Sequence, residues 1–354
     1  MPLKYQMIAD DLRLQIHGGK YVNAQALPTE QAIAQEYQVS RQTVRQALSI
    51  LVQDGLIVKR QGSGSRVLRQ RPADEPRRTS IAVITTYISD YIFPSILREV
   101  ETVLAQHNCV PSLFATQNQV YNERRILTAL LDSDIEGLLV EGTKSALPNP
   151  NLDLYEQIAR RDIPLVFMNG YYPNLQGALS VLDDNCGGGR MLVEYLHGKG
   201  HVNIAGIFKS DDLQGLQRYE GYTAALRDLG LPLNDRQVFW YNTDQKERLL
   251  SGGPMDDVVQ VLQGCSAVVC YNDEIASRLV SDLIKRRVRI PEDMAVVSFD
   301  NSRYSDFAPI PITSLSHGKM NVGRIAAELL VDLLHGEVGG SKKAPWVLME
   351  KESG

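Results

Sequence analysis

The stretch that decides the fold runs from residue 26 to residue 67 and reads ALPTEQAIAQEYQVSRQTVRQALSILVQDGLIVKRQGSGSRV. Thr29 after Pro28 is a helix-start signal, because Thr caps helix N-termini and Pro interrupts the structure that precedes it. Ser40 is a second capping residue, and the run after it has apolar residues at helical spacing, namely Val44, Ala47, Leu48 and Leu51. The stretch therefore predicts two short helices joined by a tight turn.

A hairpin is predicted directly after these helices. Asp54-Gly55 ends the second helix, and two β-favourable runs, 56–60 and 65–68, flank the Gly-rich sequence 61–64. Further upstream, apolar residues at three- and four-residue steps predict one more helix; they are Tyr5, Ile8, Leu12 and Ile16. Three helices followed by a hairpin form an α+β winged helix-turn-helix domain, which we assign to residues 1–67. Sequence-specific DNA binding is therefore the leading prediction.

The residues that would face DNA are predicted from their position on the last helix. Four polar residues lie off its apolar stripe, in the first turns that reach base edges in the major groove, namely Arg41, Gln42, Thr43 and Arg45. Arg can pair with guanine and Gln with adenine, whereas Thr can contact a base or a phosphate. Gly62 and Gly64 at the hairpin tip would let the backbone lie close to DNA. The alternative is a solvated basic helix face and an ordinary turn, but the joint occurrence of helices, caps and hairpin favours DNA binding.

The distribution of charge supports the same prediction. Residues 1–72 contain ten Lys and Arg against five Asp and Glu, whereas the other 282 residues contain 27 against 37. A basic segment thus precedes an acidic one, although the whole chain carries a formal net charge of −5. This asymmetry is typical of a DNA-binding domain attached to a domain with another ligand.

Composition excludes several other classes of protein. The four cysteines show no metal-ligand or disulfide-framework spacing, so we expect neither a metal site nor a cofactor; they are Cys109, Cys186, Cys265 and Cys270. No apolar run reaches membrane-spanning length, and the N-terminal residues do not resemble a secretion signal. We therefore expect a cytoplasmic protein of two or three domains.

A second region begins after residues 68–79, which are charged, contain two prolines and are predicted to form a linker. From residue 80 to about 350 short apolar strands alternate with amphipathic helices, and the pattern restarts after Asp184. Strands separated by helices predict parallel sheets. Two successive sets predict an α/β region with two Rossmann-like lobes and a ligand cleft between them, beyond the carboxyl ends of the strands.

Polar residues at the predicted strand ends are the candidate ligand contacts. Carboxylates can accept hydrogen bonds from sugar hydroxyls, Arg can donate to them, and aromatic rings can cover C–H faces, so the set suits a polyhydroxylated ligand. Each residue alone is better explained by a helix cap or a loop salt bridge, as Asp273 illustrates, but the shared location at strand ends favours the set as a ligand site. The set consists of Asp90, Tyr91, Glu141, Asn169, Asp183, Asp184, Arg218, Asn272, Asp273 and Asp300.

Two family resemblances rest on motifs of this chain. The segments 27–30, 39–45 and 61–64 resemble the DNA-binding domain of GntR-type winged-helix regulators. Residues 80–350 resemble the periplasmic-binding-protein-like effector domain of LacI-type repressors, through segments 183–190, 196–201, 218–222, 270–273, 290–293 and 298–301. The combination resembles the L-arabinose repressors, with further similarity in segments 85–95, 122–125, 139–147, 206–212 and 270–276.

This resemblance implies a homodimer that binds double-stranded operator DNA of arabinose-utilisation genes and is released by the sugar effector L-arabinose. It implies DNA-facing positions at Lys4, Glu30, Arg41, Arg45 and Gln61. It implies sugar contacts at Arg218 and Asp300, a further cleft contact at Asp273, and first-lobe pocket positions at Tyr91 and Glu141. Two departures concern the pocket edge and the lobe crossover, because Gly142 stands where these repressors tend to have proline and His317-Gly318 replaces a His-Pro pair.

Three alternatives remain open at this stage. A regulator of the same architecture could respond to another pentose or hexose. A sugar-binding transport receptor would share the second region, but it would need an export signal and would have no use for residues 1–67. An α/β enzyme is disfavoured because Gly187-Gly-Gly189 is not a dinucleotide-binding fingerprint and no catalytic motif of the common hydrolase or nucleotide-binding classes is present.

Overall fold

The computed structural model describes residues 4–18, 20–21, 26–60, 64–67, 78–251, 255–318 and 321–354. The chain divides into two compact units, of which the first ends at Arg77 and the second spans Arg78–Gly354. Each unit has its own hydrophobic core.

The first unit is a winged helix-turn-helix domain. It consists of α1 (Lys4–His17), α2 (Glu30–Glu36), α3 (Arg41–Gln53), β1 (Ile57–Arg60) and β2 (Gly64–Val67). The two strands pair antiparallel, with Ile57 opposite Val67 and Arg60 opposite Gly64. The apolar stripes that were predicted on the first and third helices meet in one core, where Ile8, Leu12, Leu48 and Leu51 are buried.

The second unit contains two lobes, each built on a six-stranded sheet. Its elements are β3 (Thr79–Thr85), α4 (Phe93–Gln106), β4 (Cys109–Ala115), α5 (Val120–Leu131), β5 (Gly137–Val140), α6 (Leu152–Ala159), β6 (Leu165–Met168), β7 (Leu179–Asp183), α7 (Asn185–Gly198), β8 (Ile204–Lys209), α8 (Leu213–Asp228), a short 3-10 helix (Asp235–Gln237), β9 (Val238–Tyr241), α9 (Thr243–Leu250), α10 (Asp256–Val261), β10 (Ala267–Cys270), α11 (Asp273–Lys285), β11 (Ala295–Phe299), α12 (Arg303–Phe307), β12 (Thr313–Ser316), α13 (Val322–Leu334), β13 (Lys342–Ala344) and β14 (Val347–Met349).

The strand orders show how the chain passes between the lobes. The first-lobe sheet has the order β13-β7-β6-β5-β3-β4, and the second-lobe sheet has the order β14-β12-β11-β10-β8-β9. All pairings in these sheets are parallel except that of β14 with β12. The chain therefore crosses between the lobes after Asp183, after Ser316 and after Ala344. This arrangement is the two-lobed parallel α/β fold that the sequence predicts.

The C-terminal residues extend the second lobe beyond the predicted boundary. The sequence prediction ended this region at residue 350, but residues 351–354 pack on the lobe. Ser353 is fully buried, its hydroxyl accepts a hydrogen bond from the Thr313 N–H at 2.9 Å, and its carbonyl accepts from the Val296 N–H at 2.7 Å. At the other end, β3 begins at Thr79, the last residue of the predicted linker.

No helix within the described ranges is long and apolar enough to cross a membrane.

Candidate DNA-binding face and effector cleft

The helix caps orient the candidate recognition helix. The Thr29 hydroxyl accepts a hydrogen bond from the Ala32 N–H, and the Ser40 hydroxyl accepts one from the Thr43 N–H, each at 3.2 Å. These bonds satisfy N–H groups that a helix start leaves free, so α2 and α3 begin where the sequence predicts. Because Val44 and Leu48 face the core, the polar residues of the first turns of α3 face outward.

Ionic contacts join α2 to α3 and to the wing strand β1. The Arg45 Nε atom donates to the Glu30 carboxylate at 2.8 Å, and the Lys59 ammonium lies 3.8 Å from the same carboxylate. The Arg41 guanidinium donates to the side-chain oxygen of Gln31 at 2.6 Å. Glu30 thus holds two cations that would otherwise be free, and it sets the orientation of Arg45 in the protein without DNA.

The other candidate DNA contacts have simpler environments. Lys4, Arg41, Gln42 and Arg45 are exposed, whereas Thr43 is half-buried beside Ser40. Gly64 has a φ of +76°, a backbone conformation that favours glycine, and is exposed at the start of β2. The predicted contacts Gln61 and Gly62 lie outside the described residues.

A cavity of about 60 Å³ lies between the two lobes of the second unit. Five of the residues around it are the first residue after a parallel strand, and so they lie at the carboxyl edges of the sheets, namely Thr86, Glu141, Asn169, Tyr271 and Asp300. Six of the ten candidate ligand contacts line this cavity, among them Asn169 and Asn272. The other four are residues that were predicted to contact the ligand directly. They are Tyr91 and Glu141 from the first lobe and Arg218 and Asp300 from the second lobe.

Arg218 is the most completely enclosed charge of this cleft. Its side chain comes from α8, is 2 % exposed, and donates to Asp300 at 3.2 Å and to the Asn185 side chain at 3.0 Å. The guanidinium lies 4.2 Å from the ring centroid of Phe299. Burial is the largest single effect and opposes the charge of Arg218, but the Asp300 carboxylate and the other nearby groups together raise the pKa of Arg218. A buried ion pair can exchange hydrogen bonds with a polar ligand, and the aromatic rings beside it can cover the apolar faces of that ligand.

Tyr91 connects the first lobe to this ion pair. Its hydroxyl donates to the Asp300 carboxylate at 2.6 Å and accepts a hydrogen bond from the Asp273 N–H at 3.2 Å. Burial and the nearby carboxylates raise the pKa of Tyr91 well above its usual value, so the hydroxyl keeps its proton. Tyr91, Asn169 and Asp300 have φ values of +53°, +62° and +94°, and such strained backbone is concentrated at functional sites.

Glu141 lies at the end of β5 with its carboxylate held from one side. One oxygen accepts hydrogen bonds from the Thr86 N–H at 2.7 Å and from the Thr86 hydroxyl at 2.6 Å. Burial raises the pKa of Glu141 to about 7, although the Thr86 hydrogen bonds act in the opposite direction. The other oxygen lies 3.4 Å from the Asn169 amide nitrogen and lines the cleft together with it.

Four of the ten candidates do not line this cavity, namely Asp90, Asp183, Asp184 and Asp273. Asp183 binds His317, with 3.0 Å between its carboxylate and the His317 Nδ1 atom. Asp273 is fully buried behind the cleft, where its carboxylate accepts hydrogen bonds from the Ser298 and Ser314 hydroxyls and the Ser302 N–H. Burial, together with the Asp300 charge, raises the pKa of Asp273 to about 7. The carboxylates of Asp183 and Asp273 therefore bind neighbouring protein groups and are not part of the cleft wall.

The cleft also contains lysines that the sequence analysis missed. Lys209 forms ion pairs with Asp211 at 3.0 Å and with Asp212 at 2.5 Å, and Lys246 pairs with Glu274 at 2.6 Å. Lys209 is the last residue of β8, and this position at a strand end is a signal that could have identified it as a cleft residue. Lys246 follows from no local pattern, because only the fold brings α9 to the cleft.

The carboxylates in and beside the cleft outnumber its cations. Each of its three cations is paired with at least one carboxylate, and Glu141 is an additional acid. Within the described ranges there is no group of three or more His, Cys, Asp or Glu that could hold a metal ion. The arrangement can therefore exchange hydrogen bonds with a neutral polar molecule, and it offers no unpaired cation to a phosphate group.

Two protein families match the two units. Residues 4–67 match the gntR family of bacterial regulatory proteins, and residues 193–353 match the periplasmic binding protein-like domain. The transcription regulator CcpA of Lactococcus lactis has a similar structure, with a TM-score of 0.68 and 22 % sequence identity over 78 % of this chain and 99 % of that chain. The fold and the families define a transcriptional regulator with a winged-helix DNA-binding domain and a two-lobed effector domain.

Two curated relatives identify the family more closely. The arabinose metabolism transcriptional repressor of Halalkalibacterium halodurans is 35 % identical over 345 residues, which cover 95 % of this chain and 91 % of the relative. The repressor of the same description from Geobacillus stearothermophilus is 34 % identical over 94 % of this chain and 91 % of its own length. The chain belongs to the family of arabinose metabolism transcriptional repressors, and it is a regulator rather than an enzyme.

Proposed function

We propose that this repressor binds operators of arabinose-utilisation genes as a homodimer and is released from them when L-arabinose binds in the effector cleft. The observation that carries the proposal is the cluster of Tyr91, Arg218 and Asp300, in which buried donors and an acceptor from both lobes surround one cavity. The descriptions of the two relatives support arabinose as the effector and arabinose metabolism as the regulated process.

In the proposed mechanism, the two lobes have an open and a closed arrangement, and the sugar changes the equilibrium between them. Sugar hydroxyls would exchange hydrogen bonds with Asp300, Arg218 and Glu141, and the aromatic rings of Tyr87 and Tyr271 would cover apolar C–H surface. A ligand that contacts both lobes favours the closed arrangement of the cleft. In the dimer, closure would turn the first lobes and change the spacing of the two DNA-binding domains, with a coupling of about 1–3 kcal/mol as in typical allosteric proteins.

On the DNA side, α3 would enter the major groove with Arg41, Gln42, Thr43 and Arg45, while Lys4 and the wing residues Gln61, Gly62 and Gly64 would contact the flanking backbone. Two half-sites about one helical turn apart would match a two-fold symmetric dimer. Glu30 would act through Arg45, which it orients at 2.8 Å.

The test is a calorimetric titration of the full chain with L-arabinose, D-xylose, D-ribose and D-galactose, followed by operator release measured by fluorescence anisotropy. Preferential binding of L-arabinose and release at matching concentrations are the expected results. Binding of a different sugar would move the effector assignment but keep the cleft. Arg218→Ala should retain operator binding and lose sugar-dependent release, whereas normal release by this variant would contradict the assigned cleft.

A further inference from the structure

A second cavity, of about 520 Å³, shares Tyr91, Ile92 and Asp300 with the effector cleft. We call it the crossover cavity, because its wall includes His317 and Asn321 from the chain crossover between β12 and α13. Arg98 and its neighbours on α4 contribute the first-lobe side, and the segment from Asp300 to Arg303 contributes the second-lobe side. Its volume falls in the range of small-molecule sites.

The unpaired charge of the crossover cavity is positive. Arg98 and Arg303 are exposed, and neither guanidinium has a carboxylate partner in the part of the chain that the structure describes. Asp300 is the one carboxylate among the described residues that line the wall, and it already binds Arg218 and Tyr91. This differs from the effector cleft, where every cation is paired.

His317 supplies an independent observation that points to a ligand in this cavity. Its side chain is 16 % exposed, and its Nδ1 atom binds Asp183. Its Nε2 atom is buried and has no hydrogen-bond partner within the described ranges. A buried polar atom without a partner is destabilising, so a ligand group that bonds to it is favoured. Although burial acts against it, the Asp183 carboxylate raises the pKa of His317, which favours an Nε2–H donor that needs an acceptor.

We propose that the crossover cavity binds a phosphate dianion, either free or as the phosphate group of a small metabolite, through Arg98, Arg303 and the His317 Nε2 atom. Guanidinium groups form paired hydrogen bonds with phosphate oxygens, and the imidazolium adds a third donor. The hydroxyl and amide groups of Ser95, Ser302 and Asn321 on the same wall can bind the rest of a phosphorylated metabolite.

We expect a phosphate bound at this position to change the affinity for the sugar. This expectation rests on the proposed function. A dianion held between α4, α12 and the crossover favours the arrangement of the lobes in which these elements surround the cavity. The shared wall of Tyr91 and Asp300 is also part of the effector cleft. Phosphate and sugar should therefore each raise the affinity for the other by the same factor, as linkage requires.

The test is a calorimetric titration of the full chain, in buffer without phosphate, with inorganic phosphate and with glycerol 3-phosphate. We expect saturable binding that becomes weaker by about tenfold in Arg98→Gln and in Arg303→Gln, as the loss of one charge-assisted contact predicts. Arg160→Gln is the matched control, because Arg160 is an exposed arginine on the C-terminal side of α6 and does not line the cavity. Tighter binding of glycerol 3-phosphate would identify the ligand as a phosphorylated metabolite, and equal binding would identify free phosphate.

Two outcomes would overturn the proposal. One is the absence of binding by either probe up to about 10 mM, which corresponds to a binding free energy weaker than about 3 kcal/mol. The other is equal affinity in the wild type, Arg98→Gln and Arg303→Gln. A titration with L-arabinose on the same samples separates this proposal from the proposed function, since failure of sugar binding with intact phosphate binding would contradict only the latter.

Discussion

Arg45 is the DNA-facing residue whose surroundings predict its behaviour most directly. Its guanidinium is oriented by Glu30 at 2.8 Å but remains largely exposed, so it is available to a base edge. Arg45→Ala should weaken operator binding by about 1–3 kcal/mol if the side chain reads a base. The measurement is fluorescence anisotropy with operator DNA and with random DNA at the same salt concentration, and an equal loss on both would mark Arg45 as a phosphate contact instead.

Glu30→Gln provides a matched variant for the same contact. It removes the charge that holds Arg45 and Lys59 without removing either cation. Random DNA should then bind more tightly, because two cations become free to contact phosphates, and the ratio of specific to random affinity should fall. If this ratio is unchanged, the Glu30 contact does not orient Arg45 for recognition.

The raised pKa of Glu141 predicts that the stability of the folded protein depends on pH. Its pKa in the folded protein is raised from 4.5 to about 7 by burial, so the fold binds this proton more tightly than the unfolded chain does. The stabilisation is complete below about pH 4.5 and is lost as the pH rises through about 7, which lowers the free energy of unfolding by about 1–3 kcal/mol. Denaturant unfolding at pH 5, 6, 7 and 8 should show a shallower decline for Glu141→Gln than for the wild type.

Asp273 serves as an internal reference for that comparison. Its pKa is also raised to about 7, so it contributes a slope of the same sign in the wild type and in Glu141→Gln. The difference between the two proteins therefore isolates Glu141. Parallel pH profiles would show that Glu141 is ionised in the folded protein throughout this range.

At the scale of single residues, the sequence allowed prediction of those cleft residues that directly follow strands. Glu141 and Asp300 belong to this group, because the end of a buried apolar run is visible in the sequence. Lys246 was not predictable in this way, since it becomes a cleft residue only when α9 packs beside α11. Asp183 and Asp273 show the converse, because strand-end position does not reveal whether a carboxylate faces the cavity or a neighbouring side chain.

At the scale of elements, glycines set the distance between α7 and α8. A Cβ atom on Gly189 would lie 2.2 Å from the Arg218 carbonyl oxygen, and one on Gly221 would lie 1.9 Å from the Cys186 carbonyl oxygen. The Gly187-Gly-Gly189 sequence, which is not a nucleotide-binding motif, thus has a packing role. The close approach also places Asn185 of α7 against the guanidinium of Arg218 on α8.

Gly221→Ala should therefore destabilise the second unit in spite of the higher helix propensity of alanine. Propensity favours the substitution by about 1 kcal/mol. The steric conflict is with a backbone carbonyl, which cannot rotate away, and overpacking of this kind costs about 1–3 kcal/mol or more. We expect a net loss in denaturant unfolding of the full chain and weaker binding of L-arabinose, because the two helices that hold Arg218 must separate.

Gly198→Ala is the control within the same helix pair. Gly198 is the last residue of α7, and apart from its chain neighbours and the backbone of its own helix, a Cβ atom there would meet no described heavy atom within 4 Å. This variant should be neutral or up to about 1 kcal/mol more stable than the wild type. Equal destabilisation by both substitutions would argue against a packing role for Gly221.

Most elements as far as β11 were predictable from periodicity, but β7, α9 and α10 were not, and neither was the assignment of elements to lobes. The strand β7 was missed because its short run, Leu179–Asp183, carries polar residues at Ser180 and Asp183. The later helix α13 packs against α4 and the first-lobe strands, although it follows β12 of the second lobe in the chain. Hydrophobic periodicity indicates that α13 is a helix with a buried face, but it contains no information about which sheet covers that face.

At the scale of the whole effector domain, three crossovers join the lobes, and we expect side-chain contacts across the cleft to decide how far the lobes close. Asn118 of the first lobe donates to the Thr243 hydroxyl of the second lobe at 2.6 Å, and its own side-chain oxygen accepts a hydrogen bond from the Lys144 N–H at 2.7 Å. Asn118 is buried and has a φ of +50°, so its position is tightly determined.

This cross-lobe hydrogen bond predicts a change in the sugar response. Thr243→Val removes the acceptor, and Thr243 itself does not line the effector cleft, so it cannot contact the sugar from the wall of that cavity. If the closed form is the released form, the variant should need about 5- to 10-fold more L-arabinose for half-maximal operator release, which corresponds to about 1 kcal/mol of closure energy. Operator affinity without sugar should stay the same or increase.

The double variant decides whether the two residues act as one contact. Asn118→Ala and Thr243→Val should each raise the half-release concentration, and their combination should raise it no further than Asn118→Ala alone, because both remove the same hydrogen bond. Asn174→Ala, at an exposed asparagine of the first lobe, should leave the release curve unchanged. If the two effects add, Asn118 contacts the sugar directly and Thr243 acts by a separate route. If neither variant shifts the curve, closure of the cleft is not the step that releases the operator, and the coupling must run through the crossovers themselves.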